Sequence, residues 1–213
     1  MAKNGPNNAR EVVDMGQCVP TNLPPDEQLV LLLEERRRHP DRAEEIDAEI
    51  RDRFLQTLAI VVLDMVGFSR HTQKLGIIPT LQEIYCLRDT AIPVLEEEGG
   101  RVCKVEADNL YAVFDNPDLA LQANVHLLTR LNAADLHASI GIGYGEVLVV
   151  GDRDLYGDEM NLASKLGEDI AGDDEILLTE SAHDFLTKST QLFEGFTDEI
   201  SGVTLTIYRR QRG

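Results

Sequence analysis

Apolar positions along this 213-residue chain recur with two different periods, and the change of period near residue 55 separates a helical stretch from a mixed sheet-and-helix region. The run Glu27-Gln28-Leu29-Val30-Leu31-Leu32-Leu33-Glu34-Glu35-Arg36-Arg37-Arg38 predicts a first helix. Asp26, after Pro24-Pro25, is its expected N-cap, and His39-Pro40 ends it because a residue before proline avoids the α region. A second helix is expected over 41–54, where Ile46, Ile50 and Phe54 lie at i, i+4 and i+8 and form one narrow stripe suited to a packing partner. Beyond it the pattern predicts strands at 58–64, 101–106, 110–114, 137–143, 146–150, 175–179 and 203–209. Helices are expected near 68–75, 79–97, 117–133, 158–170 and 180–187, so the region from 57 onward reads as one α+β domain without repeats.

Residues 1–24 are rich in Asn, Pro and Gly and are expected to form a flexible tail, which leaves 25–56 as a helical extension and 57–213 as the main domain. A hydrophobic content of 43% is ordinary for a globular protein of this length. The formal net charge of -18 argues against nucleic acid and anionic membrane as partners, since the field repels phosphate backbones. Three scattered cysteines, Cys18, Cys86 and Cys103, suggest neither a disulfide framework nor a zinc site. No apolar run approaches the roughly 20 residues that span a bilayer, and the expectation is a soluble, cytoplasmic protein. Arg36-Arg37-Arg38 is flanked by acids and reads as a solvated helix face. The acidic stretch Gly172-Asp173-Asp174-Glu175 lacks the ligand alternation of a calcium loop and reads as a turn.

Two carboxylates carry the chemical signal. Asp64 closes the apolar run Leu58-Ala59-Ile60-Val61-Val62-Leu63 and opens Met65-Val66-Gly67-Phe68-Ser69, while Asp108 follows Lys104-Val105-Glu106-Ala107 between two β-rich stretches. A carboxylate at the end of a buried strand, followed by a glycine turn and a helix start, can hold a hard cation while backbone N–H groups receive phosphates. A second carboxylate on a neighbouring hairpin completes a two-metal site for phosphoryl transfer. Each feature also has a plainer reading. Asp64 can cap a helix starting near Gly67, Asp108-Asn109 can be a hairpin turn, and Lys104 and Glu106 can belong to the solvated face of a half-exposed strand.

The order of the whole set resembles the class III nucleotide cyclases, the family of adenylate and guanylate cyclase catalytic domains. The resemblance covers about 58–185. It rests on Asp64-Met65-Val66-Gly67-Phe68-Ser69, on Glu98-Gly99-Gly100-Arg101-Val102-Cys103-Lys104 leading to Asp108 and Ala112-Val113-Phe114, on Ile140-Gly141-Ile142-Gly143-Tyr144-Gly145-Glu146-Val147, and on Asp154-Leu155-Tyr156-Gly157-Asp158-Glu159-Met160-Asn161-Leu162-Ala163-Ser164. It implies a ferredoxin-like βαββαβ sandwich and an enzyme that converts ATP to cyclic AMP and pyrophosphate at a homodimer interface. Asp64, Met65 and Asp108 are then the metal-binding positions for two Mg²⁺ or Mn²⁺ ions, and Val66, Gly67, Phe68 and Ser69 hold the phosphates. Lys104 and Asp154 match the pair that reads the base, Lys donating to adenine N1 and Asp accepting from the exocyclic amine. Asn161 matches the residue that orients the ribose, and Lys165 stands where an arginine usually contacts the transition state.

The chain departs from the family pattern at several places. Lys165 supplies a compact charge in place of a planar fork, Ala107 replaces a usual glycine, Ser139 stands where many members carry a phosphate-binding arginine, and no lysine precedes Gly202. Arg209 and Arg210 are the candidate substitutes for the missing cations. Two alternatives therefore accompany the enzyme: a silent homologue acting as a nucleotide-binding or protein-binding regulatory dimer, and a cyclase of another base preference. A regulatory partner is left open, with no sensor legible in 1–56.

Overall fold

A computed structural model describes residues 19–151, 153–188, 192–200 and 202–211; most of the expected tail lies outside them. The described residues fall into two compact units, one ending at Asp52 and one starting at Arg53.

In the first unit, α1 (Pro25–Arg38) and a 3₁₀ turn (Pro40–Arg42) lead into α2 (Ala43–Phe54), which continues into the second unit. Asp26 is not the cap. The N-cap is Pro24, and Pro25 occupies the first turn because its fixed φ suits a helix start, which leaves Asp26 inside that turn, where its charge favours the helix dipole. The arginine run is a solvated face as expected. Arg36 pairs with Asp47 at 2.5 Å and Arg38 with Glu34 at 2.9 Å, while Arg42 bridges Glu35 and Glu45.

The second unit is an α+β fold around an eight-stranded, mostly antiparallel sheet. Its strands are β1 (Leu55–Met65), β2 (Arg101–Glu106), β3 (Asn109–Phe114), β4 (Ala138–Val150), β5 (Asp154–Tyr156), β6 (Ile176–Thr179), β7 (Phe193–Ile200) and β8 (Val203–Arg210). The order is β2-β3-β1-β4-β6-β8-β7, with β5 paired to the far end of β4. The helices are α3 (Phe68–Leu75), α4 (Ile77–Glu97), α5 (Pro117–Ala133), α6 (Asp158–Lys165), continued as a π-helical turn (Leu166–Ile170), and α7 (Glu180–Asp184).

Central β1 is apolar on both faces because both are covered. Ala59, Val61, Leu63 and Met65 join the larger core with Ile84, Leu87 and Leu95 of α4 and Leu127 and Leu131 of α5. Leu58, Ile60 and Val62 face the other way, with Tyr111, Val113, Val147 and Ala163 of α6. Asp64 continues the second row at the end of the strand.

The expected break between 143 and 146 does not occur: β4 runs unbroken through Gly143-Tyr144-Gly145. These glycines are there for close packing rather than for a turn. A Cβ on Gly143 would lie 2.7 Å from the Glu159 carbonyl oxygen, one on Gly145 2.8 Å from Glu159 Cγ, and one on Gly141 2.1 Å from the Ala163 carbonyl oxygen. The side chain of Glu159 turns inward over them, accepting from the Tyr144 N–H at 3.1 Å and the Thr179 hydroxyl at 2.7 Å. Strands β5 and β7 were absent from the sequence expectation, the first because it is three residues long and the second because Glu194-Gly195 and Asp198-Glu199 dilute its β character. Helix α7 stops at Asp184, short of 187.

Candidate active site

The end of β1 and the β2–β3 hairpin bring the two aspartates together. Asp64 stands opposite Asn109 on one side and Ser139 on the other. The Met65 N–H donates to the Asp108 carbonyl at 3.3 Å, and Arg88 of α4 donates to the Ala107 carbonyl, pinning the hairpin. Asp108 is a hairpin-turn residue, as its plainer reading holds, and the turn is what sets its backbone against β1. Ala107 sits at φ 48°, in the left-handed region that glycine occupies without strain. Asp64 does not cap the following helix: the N-cap of α3 is Gly67, at φ 87°.

Burial pushes the Asp64 carboxyl up to about 7, and the charges of Asp108, Glu168 and Asp169 push in the same direction, offset in part by a hydrogen bond from the Met65 backbone. The charges that act on it most strongly are those of three acids. Glu168 and Asp169 lie on the π-helical turn after α6, and Glu168 accepts from the Tyr111 hydroxyl at 3.2 Å, which in turn accepts from the Asn109 amide at 3.4 Å. The Asn109 side-chain amide oxygen Oδ1 is buried without a hydrogen-bond partner beside the same hairpin. This donor set fits a hard divalent cation, which needs acidic oxygens and would relieve the repulsion. Among the described residues no three His, Cys, Asp or Glu side chains are grouped as a metal cage. Met65 can add only backbone oxygen, because its side chain is buried in the opposite core.

The glycine turn leads into α3 with no side-chain cap, so the Gly67, Phe68 and Ser69 N–H groups face a helix start without an acceptor of their own. The Val66 N–H is already donated to the His137 carbonyl at 3.1 Å. Beside this loop, a cleft of about 540 Å³ is lined by Met65, Val66, His71, Glu83 and His137 among others, with His71 Nδ1 2.6 Å from Glu83.

Lys104 reaches the same sheet face through a β-bulge. Val102 pairs with Ala112, but Lys104 pairs with Tyr111, so the irregularity at Cys103 carries Lys104 and Glu106 onto the face of Tyr111 and away from the large core. The Lys104 ammonium lies 5.7 Å from the Tyr111 ring centroid and 2.7 Å from Glu106. Its pKa is raised, first by the Glu106 hydrogen bond and with a contribution from Asp154 on β5. Asn161 and Lys165 are both exposed and one helical turn apart on α6, and Lys165 is bound to Asp169 at 2.7 Å. The structure thus gathers three groups, Asp64 with Asp108, Lys104 with Asp154, and Asn161 with Lys165.

Of the two candidate substitute cations, Arg209 is engaged elsewhere. Arg209 pairs with Glu175 at 3.2 Å and lies over the Phe196 ring, and Arg210 lines a groove with Glu98 and His126. Ser139 is buried, its hydroxyl donating to the Asp64 carbonyl at 3.5 Å. Sequence reasoning missed Glu106 as a partner of Lys104, and also Tyr111, Glu168 and Asp169. The last two carried a legible signal, because they lie three and four residues after Lys165 on one helix.

No protein-family model and no curated protein matches the chain. Among solved structures it is similar to an adenylate/guanylate cyclase/hydrolase from Silicibacter pomeroyi, at 20% identity over 75% of this chain and 98% of that one, with a TM-score of 0.63. It is likewise similar to the adenylyl cyclase CyaB from P. aeruginosa (15% identity, 75% and 96% covered, TM-score 0.61) and to the guanylate cyclase domain of RhGC from Catenaria anguillulae in complex with GTP (16% identity, 73% and 96% covered, TM-score 0.61). The second unit therefore has the fold of the class III cyclase catalytic domains. No helix among the described residues is long and apolar enough to cross a membrane.

Proposed function

We propose that the protein is a nucleotide cyclase that acts as a homodimer, with ATP as its preferred substrate and cyclic AMP and pyrophosphate as products. The observation that carries this reading is the half-buried Asp64, crowded by Asp108, Glu168 and Asp169. Such a site calls for divalent ions, Mg²⁺ or Mn²⁺, and for positive groups from a second copy. Asp64, Asp108 and the Met65 carbonyl hold the ions, which supply Lewis-acid activation of the ribose 3′-hydroxyl and neutralise the triphosphate. The free N–H groups of Gly67, Phe68 and Ser69 bind the outer phosphates at the start of α3. From the partner copy, Lys104 donates to adenine N1 and Asp154 accepts from the amine, Asn161 orients the ribose, and Lys165 steadies the charge that develops as the 3′-oxygen attacks the α-phosphorus in line. Residues 25–56 form an extension to the catalytic region 57–213 that adds dimer contacts, and the setting is the cytoplasm.

A second reading, a silent regulatory dimer, draws support from the two lysines, each already paired to a carboxylate of its own chain. Incubation with each of the four ribonucleoside triphosphates in Mg²⁺ or Mn²⁺, followed by mass spectrometry, separates the two. Cyclic AMP from the wild type and none from an Asp64→Ala, Asp108→Ala double variant establishes the cyclase; no cyclic product from a folded dimer favours the silent homologue. The shared site has its own test. Mixed Asp64→Ala and Asn161→Ala proteins should recover about a quarter of the wild-type rate, since half of randomly assorted dimers are mixed and carry one intact site of two. Inactivity despite verified mixed dimers overturns the split site.

A further inference from the structure

Lys104 stands between two carboxylates that do not act on it equally. The bulge at Cys103 places Lys104 and Glu106 on one face of β2, two residues apart, so their side chains lie side by side. Glu106 Oε2 is 2.7 Å from the ammonium, whereas Asp154 reaches it only through the field across from β5. Asp154 has no hydrogen bond to Lys104 in this arrangement. Yet an ammonium and a carboxylate that read one adenine edge together must both point at that edge. The Glu106 side chain is itself exposed, while its backbone pairs with Asn109 in the β2–β3 ladder.

Resting on the cyclase reading, we propose that Glu106 is a positioning residue that holds the Lys104 ammonium away from the base, so that each adenine nucleotide must first displace a carboxylate of the protein before Lys104 can reach N1. The contact is a surface ion pair, open to solvent on both sides, so its displacement weakens base binding modestly and leaves the phosphate end untouched. It acts on the ground-state complex and the transition state alike, because the base does not move in the reaction. Uniform effects of that kind appear in KM and are absent from kcat.

Steady-state kinetics on Glu106→Gln, Lys104→Met and the double variant tests the assignment. Glu106→Gln should lower KM for ATP about two- to five-fold, the range set by a surface ion pair, with kcat within error of wild type. In the Lys104→Met background the same substitution should do nothing, since there is no ammonium left to hold. A KM unchanged by Glu106→Gln while cyclic AMP is formed overturns the restraint and leaves the cyclase standing. A gain that persists with Lys104→Met, or one that appears in kcat and thermal stability instead, also overturns it, because it makes Glu106 a structural residue. If no cyclic product forms, calorimetric titration with ATP decides. Tighter binding by Glu106→Gln than by wild type upholds the restraint in a silent homologue, equal binding overturns the restraint alone, and no binding by either protein overturns both readings.

Discussion

The two ends of the candidate site handle charge in opposite ways. At the β1 end, Asp64 is crowded by Asp108, Glu168 and Asp169 and held with a raised affinity for a proton. At the β2 end, Lys104 has two carboxylates and is held as a firm cation. One end is crowded with like charge and the other has its positive charge already matched. In the proposed dimer the acidic end would receive its positive charge from ions and from the partner copy, and the lysines would exchange their own carboxylates for the nucleotide. The asymmetry also shows where stability has been given up. The repulsion at Asp64 weakens the folded chain until something cationic arrives, whereas the pairs at Lys104 and Lys165 are exposed and nearly neutral for folding.

The largest expected effect breaks the acidic end outright. If the proposed cyclase reading holds, Asp64→Asn should abolish cyclic AMP formation, by at least about 10³-fold, since in that reading it removes a ligand of the ions that stabilise the transferring phosphoryl group. Residual activity near wild type would detach Asp64 from the chemistry. Next in size is Lys165→Arg, which offers the developing phosphorane a planar fork; kcat should rise by up to roughly tenfold with a smaller change in KM. A change confined to KM would place Lys165 in ground-state binding.

The same Asp64 sharpens the comparison through pH. Its folded pKa, about 7, lies above the ordinary carboxylate value near 4, so the folded state keeps the proton longer than the unfolded state does. The stability this contributes is fully present below about pH 4 and is lost as pH rises through 7. In metal-free protein at pH 8, Asp64→Asn should therefore melt higher than wild type, by ~2–4 °C for about 1 kcal/mol once solvent screening is allowed for, and the gap should close as pH falls below 7. Mn²⁺ should raise the melting temperature of the wild type and not of the variant. A gap that is independent of pH would mean that the carboxyl is not strained by charge.

What was legible in the sequence follows from the range of each interaction. Strands β1 and β3 and helices α3 and α5 appear in the pattern because their neighbours in sequence fix their periodicity, and Asp64 with Asp108 appears because each marks the end of such an element. Local pattern failed where distant packing decided the structure. Gly143-Tyr144-Gly145 read as a break until Glu159 of α6 was seen to lie over it, and Glu106 read as one more polar strand position because strict alternation cannot reveal a bulge at Cys103. The acids after Lys165 were missed because their approach to Asp64 depends on α6 crossing the sheet on its glycines. The chemistry was legible one residue at a time, and the balance of charge between the two ends became visible only with the chain folded.

The smallest expected effect concerns the hairpin that carries Asp108. Ala107 holds φ 48°, a conformation that costs an L-residue roughly 1–2 kcal/mol and glycine almost none. Glycine also loses more freedom on folding, which takes back about 0.5–1 kcal/mol. Ala107→Gly should therefore stabilise the protein by about 0–1.5 kcal/mol, a rise of no more than ~3–6 °C. The carbonyl that accepts from Arg88 and the one that accepts from Met65 both belong to the main chain of this turn, so the substitution keeps them. Activity should stay within about twofold if those bonds alone set the position of Asp108, because nothing at the reacting atoms has changed. A larger loss with intact or raised stability would mean that the Ala107 methyl group itself restrains the hairpin. The acidic end would then depend on a stiff, strained turn to hold its second carboxylate, unlike the basic end, where a bulge places Lys104 without positive φ.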